Sequence, residues 1–292
     1  MLVLLDSSIY IFRGWQSMPT SLTDRFGNPA NAVMGFANTL ADVMRHTEPS
    51  HMACAFDECF RKGIRNSIYP EYKADRPPAP LELAPQFGTC KQVASAMGIF
   101  AQGSPRVEAD DIIGQFAQLA NKVSMPVTIV TGDKDLAQFI TEQDTYWNYS
   151  KQLRMSFDDL VKRFKIRPDQ IPDWLALAGD KSDNIPGVPG VGPTTAAKLL
   201  VKWDSIDKLL ENLGEVAMMR FRGAPRVSRL LYEHKEEIFL ARKLTGLIYD
   251  DDISLSLDDL KRDVVSPEVV TEQLFALGFT EQNAAAVAAR LA

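Results

Sequence analysis

Three short apolar runs mark the first half of the chain: Leu2 to Leu5, Met52 to Phe56 and Val127 to Val130. Their nearly unbroken apolar character is that of strands buried on both faces of a parallel sheet. Between them, Ala32 to Arg45, Pro85 to Met97 and Asp110 to Lys122 repeat apolar residues every three or four positions, the period of an amphipathic helix. Strand and helix in alternation predict an α/β fold, a central mostly parallel sheet flanked by helices. From about residue 157 the pattern changes to short helices punctuated by Pro168, Pro172, Pro186, Pro189 and Pro193, and no comparable strand signal returns. The expected organisation is an α/β core over 1–156 and a helical subdomain over 157–292. Its last segment, Ser266 to Ala292, reads as one or two closing helices.

Each predicted strand runs into an acid. The first reaches Asp6, the second Asp57, and the third passes through Thr131 and Gly132 to Asp133 and Asp135. Open α/β sheets bind ligands beyond the carboxyl ends of their strands, so these acids point at one place. Val107-Glu108-Ala109-Asp110-Asp111 adds three acids at the start of a helix. One acid there complements the helix dipole, but three crowd like charges together unless a cation sits among them. In Thr131-Gly132-Asp133-Lys134-Asp135 the plainer reading is an Asx turn or a helix N-cap. In Gly179-Asp180-Lys181-Ser182-Asp183-Asn184 the two acids, three apart, share one side of a helical turn or sit on a solvated turn. Asp250 to Asp252 read as a solvated loop.

Taken together, Asp6, Asp57, Glu108, Asp110, Asp111, Asp133, Asp135, Asp180 and Asp183 form a ligand set with oxygen donors only. Such donors suit Mg²⁺ or Mn²⁺, whereas zinc recruits His or Cys. Two such ions roughly 4 Å apart serve in-line displacement at phosphorus, which makes a phosphodiester the natural substrate. The formal net charge of −6 over 292 residues at first opposes nucleic-acid binding. Removing the nine acids from that −6 leaves +3, a mildly basic remainder. Cys54, Cys59 and Cys90 form no C-x-x-C pair and read as reduced, buried thiols. The apolar run at Met1 to Leu5 is too short for a signal peptide, and no stretch suits a membrane span, so the expected location is cytoplasmic.

Two further stretches suit phosphate. Ile185 to Leu200 has the form of a helix-hairpin-helix, in which Gly190 and Gly192 bare backbone N–H groups at a helix start and Lys198 adds charge. A simple turn between packed helices is the alternative. Between Phe60 and Leu83, Arg61, Lys62, Arg65, Lys73 and Arg76 are interleaved with Tyr69 and Tyr72, which suits single-stranded nucleic acid as well as a solvated basic face. Arg220, Arg222, Arg226 and Arg229 form a second basic stretch, either a phosphate contact or a surface helix.

These motifs, in this order, resemble the 5′ nuclease domain of bacterial DNA polymerase I within the flap endonuclease superfamily. The resemblance runs from Leu4-Leu5-Asp6-Ser7-Ser8 through Phe56-Asp57, Tyr72-Lys73-Ala74-Asp75-Arg76-Pro77-Pro78 and the acidic motifs to Gly190-Val191-Gly192. It implies a PIN-like 5′ nuclease fold with a helical arch at about 60–83 and a hairpin at about 185–200 that grips duplex. It also implies two or more Mg²⁺ or Mn²⁺ ions: Asp6, Asp57, Glu108 and Asp110 around the first, Asp133, Asp135, Asp180 and Asp183 around the second, with Asp111 close by. Lys73 and Arg76 match the pair that engages the scissile phosphate, and Tyr72 is assigned to base stacking. Tyr10, Arg13, Arg61, Lys62 and Arg65 are assigned to DNA, and the hairpin is implied to hold K⁺.

The implied activity is 5′-3′ exonuclease and 5′ flap endonuclease hydrolysis in replication or repair. Its expected partners are DNA flaps, nicks and junctions and RNA primers, acted on by a monomer in the bacterial cytoplasm at the nucleoid. Polymerase I continues into further domains, while Met1 directly before the first strand favours a free-standing protein. Two other functions compete: a flap-binding module without turnover, against which the complete acidic set speaks, and a PIN-like ribonuclease, which the hairpin disfavours.

Overall fold

The structure is a computed structural model describing residues 1–59, 61–253 and 255–291. Phe60, where the expected arch begins, and Ala292, where the closing segment ends, lie outside the described residues. Among the described residues β1 (Leu2–Asp6), β2 (His51–Asp57), β3 (Phe100–Ser104), β4 (Val127–Val130), β5 (Thr145–Asn148) and β6 (Leu153–Met155) form one sheet. Its order is β3-β2-β1-β4-β5-β6, parallel throughout except for the antiparallel β5–β6 pair. Between the strands lie α1 (Ser7–Ser17), α2 (Asn31–Thr47), α3 (Ile64–Ile68), α4 (Ala84–Ala96) and α5 (Ala109–Lys122). After the sheet come α6 (Phe157–Phe164), α7 (Ile171–Ala178), α8 (Pro193–Trp203), α9 (Ile206–Glu211) and α10 (Leu213–Ala217). They are followed by α11 (Ala224–Glu233), α12 (Lys235–Thr245), α13 (Pro267–Ala276) and α14 (Glu281–Ala288).

The three apolar runs became the three central strands because only strands covered on both faces need to be apolar at nearly every position. Alternate side chains sort between the layers: Leu2 and Leu4 belong to one core with buried residues of α5, α7 and α8, Val3 and Leu5 to another with those of α1, α2 and α4. The strands without an apolar run, β3, β5 and β6, lie toward the sheet's edges. There half-exposed residues such as Gln102, Gly103 and Thr145 are tolerated. Helix α1 starts directly after Asp6, so no punctuation announces it; Ser7, Tyr10, Ile11 and Gly14 form its buried stripe.

The C-terminal helices α13 and α14 pack back onto α2 and α4, and Val270, Leu274, Ala284 and Val287 complete that side of the core. On the opposite face the apolar core continues without a break from the sheet into α7, α8 and α12.

The expected helical arch is not an arch of helix. Within its described residues only α3 is helical, and the chain over 70–76 is a run of turns. Pro77, Pro78 and Pro80, which lack a donor N–H, cannot extend a helix interior. The turn is docked: Lys73 N donates to Asp183 O at 3.0 Å, and Asn184 Nδ2 donates to Glu71 O at 2.8 Å.

Candidate active site

Strand order places the chemistry. The chain steps from β1 outward to β2 and β3, then returns to lay β4 against β1's other edge, so the connections diverge where β1 and β4 end. A crevice outside the carboxyl ends of the strands is the expected result. Asp6 lies opposite Ala55 on β2, one pair beyond the Leu5–Val130 match with β4, so Asp6, Asp57 and Thr131 to Asp133 share one edge.

Each carboxylate there is held. Asp6 Oδ2 accepts from Thr131 Oγ1 at 2.9 Å, the same hydroxyl oxygen accepts from Asp133 N at 2.9 Å, and Asp133 Oδ1 accepts from Asp135 N at 3.0 Å. The Asx turn and the acid cluster are therefore one arrangement rather than alternatives. Asp57 Oδ2 accepts from Ser8 Oγ at 2.8 Å and its Oδ1 from Ala109 N at 2.8 Å, which ties the end of β2 to the start of α5. Glu108 is the N-cap of α5 in a capping box with Asp111. The loop leading to it is fixed by Ser104 Oγ, which donates to Asp250 Oδ2 at 2.6 Å. Asp250 is thus buried, not part of a solvated acidic loop.

Asp6, Asp57, Glu108, Asp110 and Asp133 line one open cleft of about 700 Å³, facing Arg13, Arg61, Lys73 and Arg76. Burial, then the charges of Asp57 and Asp133, push the Asp6 carboxyl up to about 8. Asp110 is raised by burial and then by Asp133 and Asp6, and Asp135 is pushed up to about 7 by burial and then by Asp133. Glu108 goes the other way: burial opposes its charge, but Lys73 and Arg65 more than offset it. Lys73 Nζ donates to Glu108 Oε1 and Oε2 at 2.7 and 2.8 Å.

A second group adjoins the first. Asp183 lies on the closed turn between Asp180 and Ile185, which pair as an isolated antiparallel bridge, so the two acids sit on a tight hairpin and not on a helical turn. Arg76 Nη2 donates to Asp183 Oδ1 at 2.6 Å, and Lys134 Nζ donates to Asp180 Oδ2 at 2.5 Å while standing 3.1 Å from Asp135 Oδ1. Lys134 and Ser182 hold Asp180 below its ordinary value despite burial. The Tyr72 hydroxyl joins the groups, 2.8 Å from Glu108 Oε2 and 3.1 Å from Asp183 Oδ2.

Asp111, Arg65, Tyr72 and Tyr10 do not line the cleft. Asp111 is 1% exposed and paired with the buried Arg65, and it also accepts from Glu108 N at 3.1 Å and Ile248 N at 2.8 Å. With its oxygens so engaged it is a structural acid, and Arg65, enclosed with it, is not a DNA contact. Tyr72 is buried against the acids and offers no ring face for a base. Tyr10 is fully buried in the core beneath the cleft, packed edge-on to Tyr149. Arg13, Arg61 and Lys62 are exposed, and so are Gly190, Gly192 and Lys198 on the α7–α8 hairpin. Gly190 has φ +82°, a value that favours glycine, and Gly187 packs against Ala178 and Gly179 so closely that a side chain would not fit. Sequence reasoning misses Ser8, Thr131 and Lys134 as site residues. All three lie inside the acidic motifs, so adjacency is the available signal.

Among the described residues, no three His, Cys, Asp or Glu side chains are arranged as they stand to hold a metal ion. Lys73, Arg76 and Lys134 are paired with Glu108, Asp183 and Asp180. The donor chemistry nonetheless fits a hard divalent cation, since the acids are oxygen-only, preplaced by hydrogen bonds and mutually repulsive.

Two family descriptions match: "5'-3' exonuclease, N-terminal resolvase-like domain" over residues 1–165 and "5'-3' exonuclease, C-terminal SAM fold" over 166–268. The chain is 35% identical over 260 residues to a 5'-3' exonuclease of Aquifex aeolicus, covering 89% of this chain and 86% of that one. It is 37% identical over 262 residues to DNA polymerase I of Pseudomonas aeruginosa, but spans only 28% of that protein's length. Among solved structures, the T5 D15 protein co-crystallised with metal ions superposes with a TM-score of 0.67 at 15% identity, over 99% of this chain and 97% of that one. The catalytic core of Rad2 in complex with DNA substrate superposes with a TM-score of 0.62 at 13% identity, over 100% and 91%.

Proposed function

The chain belongs to the 5′-3′ exonuclease family of DNA-hydrolysing nucleases, and from that premise we propose that the cleft at the end of β1, β2 and β4 cuts 5′-flap and nicked DNA with divalent cations. The observation that carries the reading is the meeting of five carboxylates and four cationic side chains in one open cleft. The T5 neighbour's co-crystallised metal ions and the Rad2 neighbour's DNA substrate support it by likeness of fold.

In this reading Asp6, Asp57, Glu108, Asp110 and Asp133 hold cations on the cleft side, and Asp135, Asp180 and Asp183 hold them behind. Mg²⁺ or Mn²⁺ bound there supplies a water of lowered pKa and charge to stabilise the attacking and leaving oxygens. Lys73 and Arg76 line the cleft beside the acids and are paired with Glu108 and Asp183, so they orient the scissile phosphate. Tyr72 positions Glu108 and Asp183 rather than touching a base. Arg13 and Arg61 line the strand's approach, and the Gly190–Gly192 turn and Lys198 grip duplex through its phosphates. RNA primers, action as a monomer and a place at the bacterial nucleoid belong to the same proposal. No helix among the described residues is long and apolar enough to cross a membrane.

The test is cleavage of a 5′-flap substrate labelled at both ends. Wild-type protein with Mg²⁺ or Mn²⁺ releases the flap, while Asp133→Ala and Asp183→Ala abolish cutting and leave DNA binding measurable. An intact flap with the wild type, where an established flap nuclease cuts, overturns the proposal.

A further inference from the structure

Residues 218–232, Met218 to Tyr232, hold four arginines and no acid in a chain whose net charge is −6. All four arginines, Arg220, Arg222, Arg226 and Arg229, are exposed. Among the described residues Arg220, Arg222 and Arg226 take part in no ion pair, and Arg229 meets only Glu233, at 3.5 Å on the surface. Elsewhere on the molecule the basic side chains nearest the acids, Lys73, Arg76 and Lys134, are all paired. Here the charge is left facing water.

The fold turns this charge into a stripe. Val227, Leu230 and Leu231 bury one side of α11 in the core. Arg226 and Arg229, three residues apart on α11, share its solvent side, and Arg220 and Arg222 lie in the turn that leads into the helix. The stripe belongs to the same helical unit as the proposed duplex grip: α10 is joined to α8 by the Lys202–Glu215 ion pair at 2.9 Å. Lys202 stands at the far end of α8 from Gly192, about 15 Å along the helix axis.

We propose that the arginine stripe of the α10–α11 corner is a second duplex-backbone contact, which takes the phosphates of a DNA arm extending beyond the Gly190–Gly192 hairpin. The inference rests on the nuclease reading for its choice of DNA. Its chemistry is sequence-independent, since exposed arginines that contact phosphates fix position on the duplex without reading bases. It sets how much duplex the protein covers beside the cut.

The experiment compares wild-type protein with the triple variant Arg222→Gln, Arg226→Gln, Arg229→Gln on flap DNA, without divalent cation. One substrate has a duplex arm only long enough for the hairpin, the other an arm longer by two helical turns. Wild-type affinity rises with arm length, and the triple variant loses that gain. On the long arm its slope of log Kd against log salt shrinks by roughly 2.7, or 0.9 for each phosphate contact removed. The corresponding triple Lys variant restores both. Unchanged affinity and slope on the long arm overturn the proposal, as does an equal loss on both arms, which would mean a diffuse effect of charge. Retention of the arm-length gain together with loss of binding to an acidic polypeptide such as poly-glutamate also overturns it, in favour of a protein-docking surface. Wild-type protein that shows the arm-length effect but never cuts a flap sinks the nuclease proposal and leaves this one standing.

Discussion

Arg65 is enclosed, with its guanidinium donating to both oxygens of Asp111 and to the carbonyl oxygens of Leu244 and Gly246. Asp111 in turn receives Glu108 N and Ile248 N. A single ion pair thus fastens the start of α5, which carries Glu108 and Asp110, to the chain leaving α12. Removing one partner of a buried pair strands the other charge, so Arg65→Ala costs about 3–5 kcal/mol of unfolding free energy. Urea denaturation with metal chelated measures it, and a loss below about 1 kcal/mol, the range of an exposed pair, would show the pair to be solvated. In sequence, Asp110 and Asp111 are indistinguishable as ligand candidates. Their separation follows from helix geometry, since neighbours on a helix point about 100° apart and only one of them faces the cleft.

Helix α1 hands Ser8 to Asp57 and Arg13 to the cleft, and its position depends on its crossing with α2. A Cβ on Gly35 would lie 2.4 Å from Gly14 Cα, backbone that cannot move aside within a packed pair of helices. Gly35→Ala therefore forces the helices apart at a cost of about 1–3 kcal/mol. Flap cleavage falls with it, because Ser8 shifts away from Asp57. Thermal melts and cleavage rates on the same preparation test this, and an unshifted Tm removes the crossing from the account. No punctuated periodic run marks α1 in the sequence, although its stripe of Ser7, Tyr10, Ile11 and Gly14 follows the helical period. Of its four buried residues Ser7 and Gly14 are small, and Gly14 owes its burial to Ala32 and Gly35 of α2, a partner that only folding supplies.

Across the whole molecule, the acid cluster opposes folding when no cation neutralises it. Asp6 near 8, Asp135 near 7 and the raised Asp110 bind protons more tightly folded than unfolded, where carboxylates titrate near 4. The folded state is thus favoured while these groups keep their protons and loses that advantage as pH rises through their folded values. The depressed Glu108 and Asp180 act oppositely, but their contribution is lost only as pH falls below about 4, outside that window. In chelator, Tm falls between about pH 5 and pH 8.5, and Mg²⁺ or Mn²⁺ raises it more at the upper end, where no proton must be displaced. A flat Tm in chelator, or a cation effect larger at the acid end, would contradict this.

Periodicity alone determined the three central strands, the helices α2, α4 and α5 between them and the convergence of Asp6, Asp57 and Asp133, because a parallel strand buried on both faces must be apolar throughout and must end at the ligand-binding edge. The family resemblance followed from the order of the acidic motifs. Tertiary structure alone decided which acids face the cleft and which are locked away, that Tyr10, Arg65 and Tyr72 are interior, and that the turns over 70–76 are docked upon Asp183. The physical reason is that a charged or aromatic side chain carries the same letter whether it meets water or a partner. Its burial and pairing depend on residues as distant in sequence as Leu244 is from Arg65.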